Sequence, residues 1–83
     1  MNMEKNSNQG FYRVSDFPLV VSLFMHLPIV AVDRTDPKRI SFLFEASKEL
    51  EVLLATYHRR EMRVDPLDFY HAMKSVKARL YQE

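Results

Sequence analysis

The chain has 83 residues and a mass of 9.9 kDa, which allows one domain with a single small hydrophobic core. It contains no cysteine and one glycine, so disulfide scaffolds, thiolate metal sites and glycine-rich phosphate-binding loops are excluded. A formal net charge of +1 gives no general attraction to nucleic acid or to anionic lipid. Because no signal-peptide pattern begins the chain and no apolar run reaches the ~20 residues of a bilayer span, we expect a cytoplasmic protein without membrane contact.

The N-terminal region is expected to contain a tail and then a short strand. Residues 1–10 are polar and without periodicity, which predicts a flexible N-terminal tail followed by one domain over residues 11–83. Residues 11–14 are compatible with a short strand. The side-chain oxygen of Ser15 or Asp16 is then expected to cap the start of a helix.

The next segment, residues 17–27, is apolar on nearly every side, and Pro28 is expected to end its helix. A single core-facing stripe cannot account for so much apolar surface. Either this is the central helix of the domain, or part of it is buried against a second copy of the chain. The residues proposed for such a self-association face are Val21, Leu23 and Met25.

A β-hairpin is predicted to follow, with strands over residues 29–33 and 39–45 joined by the turn-rich residues 34–38. In the second strand Phe42 and Phe44 fall on one face and their neighbours on the other, the pattern of a half-buried sheet. The aromatic face is expected to meet the helices.

Two amphipathic helices are predicted in the second half of the chain. Ser47 caps the first, whose apolar residues recur at i, i+3, i+4 and i+7. These are Leu50, Leu53, Leu54 and Tyr57. Asp65 caps the second, with Pro66 at its first position, and this helix runs to about Tyr81. Its apolar residues form one buried seam, namely Phe69, Met73, Val76 and Leu80.

The element order predicts a small two-layer α+β domain, β-α-β-β-α-α, with a short antiparallel sheet covered by helices. The segments Tyr12–Phe17 and Ile40–Glu45, with Val64–Pro66 and the closing Leu80–Tyr81, resemble a small prokaryotic domain family of unknown function. The resemblance covers residues 11–83. It implies the same strand–helix–hairpin–helix–helix fold and implies no activity.

Histidines and carboxylates have structural explanations in this chain. His26, His58 and His71 fall on three predicted helices, and no pair has the i, i+4 spacing that lets two imidazoles bind one metal. Four carboxylates have Asp-x-x-Asp spacing, namely Asp33, Asp36, Asp65 and Asp68. They fall at a turn and at a helix start, where Asp holds the backbone shape. We therefore expect no catalytic residue, metal or cofactor, and a protein that is not an enzyme.

Positive charge is concentrated towards the C-terminus. Residues 1–57 carry six Lys or Arg and seven Asp or Glu, whereas residues 58–83 carry six and four. Lysines and tyrosines share one side of the last helix, called here the tyrosine–lysine stripe: Tyr70, Lys74, Lys77 and Tyr81. Three arginines, Arg59, Arg60 and Arg63, lie before it. Such a surface suits single-stranded nucleic acid. Alternatively, the rings cover the edge of the core and the lysine stems lie along it.

Two functions follow from these patterns. The first is a non-enzymatic interaction domain, a homodimer or a binder of another protein, that uses the apolar helix. The alternative is nucleic-acid binding through the arginines and the tyrosine–lysine stripe.

Overall fold

The computed structural model describes residues 10–81, which form three strands and three helices in the order β-α-β-β-α-α. The strands are β1 (Phe11–Val14), β2 (Ala31–Asp33) and β3 (Ser41–Glu45), and the helices are α1 (Phe17–Phe24), α2 (Lys48–His58) and α3 (Pro66–Leu80). The predicted α+β fold is thereby confirmed. The predicted tail lies outside the described residues except for Gly10, whose carbonyl accepts a hydrogen bond from the Ala46 N–H at 2.7 Å.

The sheet is antiparallel with strand order β1-β3-β2, so β3 is the central strand. Val14, Phe42 and Val32 lie side by side across it and share the inner face. Phe42 and Phe44 are buried there, as their period-2 spacing predicts. The hairpin is confirmed, with strands shorter than predicted. On the outer face, Leu43 lies between Arg13 of β1 and Ala31 of β2.

Helix α1 is the central helix of the domain. It packs against both α2 and α3, and its apolar residues join the inner face of the sheet in one core. Val21 and Leu23 are 0% exposed, and Met25 is half-buried. The prediction that this apolar surface is left over for a second copy is therefore wrong for Val21 and Leu23, because the sheet and the two flanking helices of the same chain cover it.

Helix α1 begins at Phe17 as predicted, but its C-terminal end and its cap differ from the prediction. The helix ends at Phe24 instead of Leu27, and the chain turns as the His26 N–H donates to the Leu23 carbonyl at 2.9 Å. Proline disfavours the helical conformation at the residue before it, so Pro28 keeps Leu27 out of a continuing helix. At the other end, Asp16 makes no side-chain cap and its backbone carbonyl accepts the Val20 N–H instead.

The starts of α2 and α3 agree with the prediction. The Ser47 hydroxyl accepts a hydrogen bond from the Leu50 N–H at 3.0 Å. The Asp65 carboxylate accepts from the N–H groups of Leu67 and Asp68, both at 3.1 Å. These bonds satisfy donors that the first turn of any helix leaves free. The seam of α3 is buried most deeply at Val76 and holds this helix against α1.

Candidate nucleic-acid interface

The tyrosine–lysine stripe lies along α3 and faces outwards. Its spacing of four, three and four residues keeps Tyr70, Lys74, Lys77 and Tyr81 on one side of the helix, next to the buried seam. Tyr70 is 47% exposed and Tyr81 is 80% exposed. Rings that covered the edge of the core would be largely buried. The alternative explanation of the stripe, in which its tyrosines cover that edge, therefore does not describe Tyr81.

The stripe carries positive charge that no carboxylate in the described part of the chain neutralises. The acidic residue of α3, Asp68, stands about 150° round the helix from the stripe. Within residues 10–81 the ion pairs are Arg13–Asp33 and Arg59–Glu61, so both lysines of the stripe are unpaired there. The Lys74 ammonium lies 5.4 Å from the Tyr70 ring centroid, within range of a cation–π contact. The two side chains thus form a combined cationic and aromatic surface.

The three arginines predicted to join this interface have different surroundings. Arg59 lies 3.1 Å from the Glu61 carboxylate, which offsets its charge. Arg63 is exposed in the connection between α2 and α3. Arg60 has a positive φ of 61° and borders a cleft. They lie before the N-terminus of α3, whereas the stripe runs towards its C-terminus.

The cleft beside Arg60 is open and has a volume of about 560 Å³. It lies between α1 and the end of α2, and six residues line it: Ser22, Tyr57, His58, Arg60, Met62 and Val64. The Tyr57 and His58 rings meet edge to face with centroids 5.4 Å apart. Burial, and then the nearby Asp16 carboxylate, raises the pKa of the Tyr57 phenol, which therefore stays neutral at physiological pH.

Sequence reasoning singled out Arg60 but missed the cleft. The available signal was the pair of apolar residues, Met62 and Val64, inside a charged connection between two helices. A second signal was the lack of glycine after α2. A helix that ends in a tight turn usually places glycine at the left-handed position, so here another residue type must occupy that position.

A polar cluster on the outer face of the sheet has a structural role. Arg13 on β1 reaches across the central strand to pair with Asp33 on β2. The Asp33 carboxylate also accepts hydrogen bonds from the Thr35 hydroxyl and from the Thr35 N–H at 2.9 Å. The Thr35 hydroxyl, the Thr35 N–H and Arg13, in that order, lower the pKa of Asp33 to about 2. The cluster links the two edge strands, β1 and β2, through the Arg13–Asp33 ion pair, and it stabilises the start of the hairpin turn through Thr35.

The stability contributed by this carboxylate is expected to depend on pH. Because the pKa of Asp33 is lower in the folded chain than its ordinary value of 3.8, the contribution is fully present above about pH 4 and is lost as pH falls towards 2. Carboxyl NMR should give a midpoint near 2, and the difference in Tm between the wild type and Asp33→Asn should shrink over that range. A midpoint near 4 would contradict the assignment.

The described residues contain neither a cluster of metal-ligating side chains nor a membrane-spanning helix. Between residues 10 and 81, no three His, Asp or Glu side chains come close enough together to hold a metal ion. None of the helices in this part of the chain is long and apolar enough to cross a bilayer.

Comparison with known proteins gives a family and no activity. No curated protein and no solved structure matches the chain significantly. A family model described as a domain of unknown function, DUF5659, matches residues 9–82, which include all three strands and all three helices. The match extends over nearly the whole chain and confirms the resemblance seen in the strand and helix-start motifs. The chain belongs to the DUF5659 family of domains of unknown function.

Proposed function

We propose that this domain binds single-stranded nucleic acid through the tyrosine–lysine stripe of α3. The observation that carries the proposal is the exposure of two tyrosine rings, 47% and 80%, on the same side of one helix as two lysines that have no ion-pair partner among residues 10–81. A tyrosine ring exposed to water contributes little to the stability of the fold, whereas a base stacked on it contributes about 1–3 kcal/mol to the free energy of binding. The combination of rings and cations is the one that single-strand binders use.

Each part of the stripe has a separate task in this proposal. Lys74 and Lys77 neutralise phosphates and release counterions, which makes binding dependent on salt. Tyr70 and Tyr81 offer their faces to unstacked bases, which gives affinity with little sequence preference. The rise of an α-helix separates the two rings by about 16 Å along the axis, so the stripe spans several nucleotides. The arginines before α3 remain predicted contacts at one end of this path.

The competing function, self-association through α1, has lost its main support. That hypothesis rested on apolar surface of α1 that the rest of the chain would leave uncovered. Val21 and Leu23 are instead buried within the fold of the chain itself. The stripe needs no second copy and no catalytic group, so we propose a binding domain and not an enzyme. The expectations of a cytoplasmic location and a prokaryotic source stay predictions.

Fluorescence anisotropy with a labelled oligothymidine, an oligoribonucleotide and a DNA duplex tests the proposal. We expect micromolar binding to the two single strands at low salt and weaker binding to the duplex. Tyr81→Ala should raise Kd about tenfold, whereas Tyr81→Phe keeps the stacking face and should change it little. The double variant Lys74→Glu/Lys77→Glu should weaken binding at low salt by about tenfold or more and lower the salt slope by about 1.4 for two lost phosphate contacts on a single strand.

A charge-matched control separates a local site from general electrostatics. Lys38→Glu/Lys48→Glu alters net charge by the same amount at two exposed lysines on other elements. It should retain most of the affinity if the stripe is the binding surface. Equal losses in both double variants, or no binding of any strand at low salt, would overturn the proposal.

A further inference from the structure

The cleft between α1 and the end of α2 is a second place where this chain can hold a ligand. Its volume of about 560 Å³ falls within the range of small-molecule sites. Met62 and Val64 supply an apolar wall, and Tyr57 supplies a ring. Arg60 supplies a cationic group and His58 an imidazole, and none of the six lining residues is acidic. Because the Asp16 carboxylate lies beside the Tyr57 phenol, a negative charge is favoured at Arg60 and not at Tyr57, so the lining suits a ligand whose apolar body carries its negative charge at the Arg60 side.

The backbone at Arg60 points to a role for its side chain. The Arg60 N–H donates to the Tyr57 carbonyl at 2.9 Å and the Glu61 N–H donates to the Thr56 carbonyl at 3.0 Å. These two bonds form a Schellman motif, in which the residue at the position of Arg60 is left-handed and is usually glycine. Arginine is strained at a φ of 61°, whereas glycine is not. The strained residue is also one of those that line the cleft.

We propose that this cleft binds a small organic anion with a planar ring, its anionic group held by Arg60 and its ring placed against Tyr57 and Met62. A guanidinium matches the paired oxygens of a phosphate or a carboxylate, so a nucleoside monophosphate and an aromatic carboxylate share the required chemistry. The inference does not depend on the tyrosine–lysine stripe, since none of the stripe residues lines the cleft.

The substitution Arg60→Gly offers a selective test because it removes the guanidinium and relieves the backbone. We expect Tm to stay equal or rise, and the affinity for adenosine monophosphate or 1-naphthoate to fall about tenfold or more. Isothermal titration with each probe, with adenosine and with inorganic phosphate separates the contributions of ring and anion. Arg39→Gln serves as the control, since Arg39 is exposed and does not line the cleft.

An NMR titration of the wild type makes the test independent of any variant. The probe that binds should shift the resonances of His58 and the methyl group of Met62. Binding of either probe that is lost in Arg60→Gly and kept in Tyr81→Ala supports the cleft, whatever the outcome for oligonucleotides. Absence of binding by both probes at millimolar concentration, or equal binding by Arg60→Gly, would overturn the inference.

Discussion

Val21→Glu is expected to unfold the protein. Val21 has no solvent exposure, and the sheet, α2 and α3 enclose the helix that carries it. A carboxylate there loses its hydration without gaining a partner, and the apolar contacts of valine are lost as well, a combined loss of about 6–10 kcal/mol. A domain of 83 residues has about 4–12 kcal/mol of stability in total. Circular dichroism and thermal unfolding should therefore show a largely unfolded chain at 25 °C.

The matched control for this change is Val52→Glu on α2. Val52 is more than half exposed, so the same substitution should alter the free energy of unfolding by less than about 0.5 kcal/mol. The pair also decides between the two interpretations of the apolar helix. A folded Val21→Glu variant that merely changes from dimer to monomer in light scattering would contradict the central placement of α1 and restore the self-association face.

Phe44→Ala is expected to cost about 3–5 kcal/mol of unfolding free energy. Phe44 is fully buried on the central strand and opposes Tyr12 on the neighbouring strand. Truncation removes ring contacts on the inner face of the sheet and leaves a cavity that the two edge strands cannot close. Urea denaturation should show a much lower midpoint with an unchanged slope.

Leu43→Ala provides the comparison on the same strand. Leu43 is half-buried on the outer face, so its truncation should cost clearly less than that of Phe44. Similar losses for the two variants would mean that the sheet is covered on both faces, contrary to the two-layer architecture.

The fold was largely predictable because local signals and global packing agree. The caps at Ser47 and Asp65 mark helix starts through side-chain hydrogen bonds to nearby N–H groups, which need no distant partner. The period-2 pattern around Phe42 assigns the inner face for the same reason. Where the outcome depended on distant residues, the prediction failed. Asp16 does not cap α1, and its carboxylate instead acts on Tyr57, which is 41 positions away along the chain.

The candidate sites also combine features that the local sequence predicts with features that depend on distant residues. Helical spacing alone places the tyrosine–lysine stripe on one side of α3. Whether the rings cover the core or face water depends on which elements flank α3, and only the tertiary structure reports the exposure of Tyr81. The cleft depends on the turn at Arg60, which brings Met62 and Val64 back towards Ser22 of α1. No local pattern encodes that approach.

The most direct test of the central claim is a ¹H–¹⁵N correlation titration of the wild-type protein with unlabelled oligothymidine at low salt. The account predicts shifts concentrated at Tyr70, Lys74, Lys77 and Tyr81, and reversed by added salt. The amides of the outer sheet face should stay in place. Shifts centred on the sheet, or a spectrum unchanged at millimolar oligonucleotide, would contradict the assignment of α3 as a nucleic-acid interface.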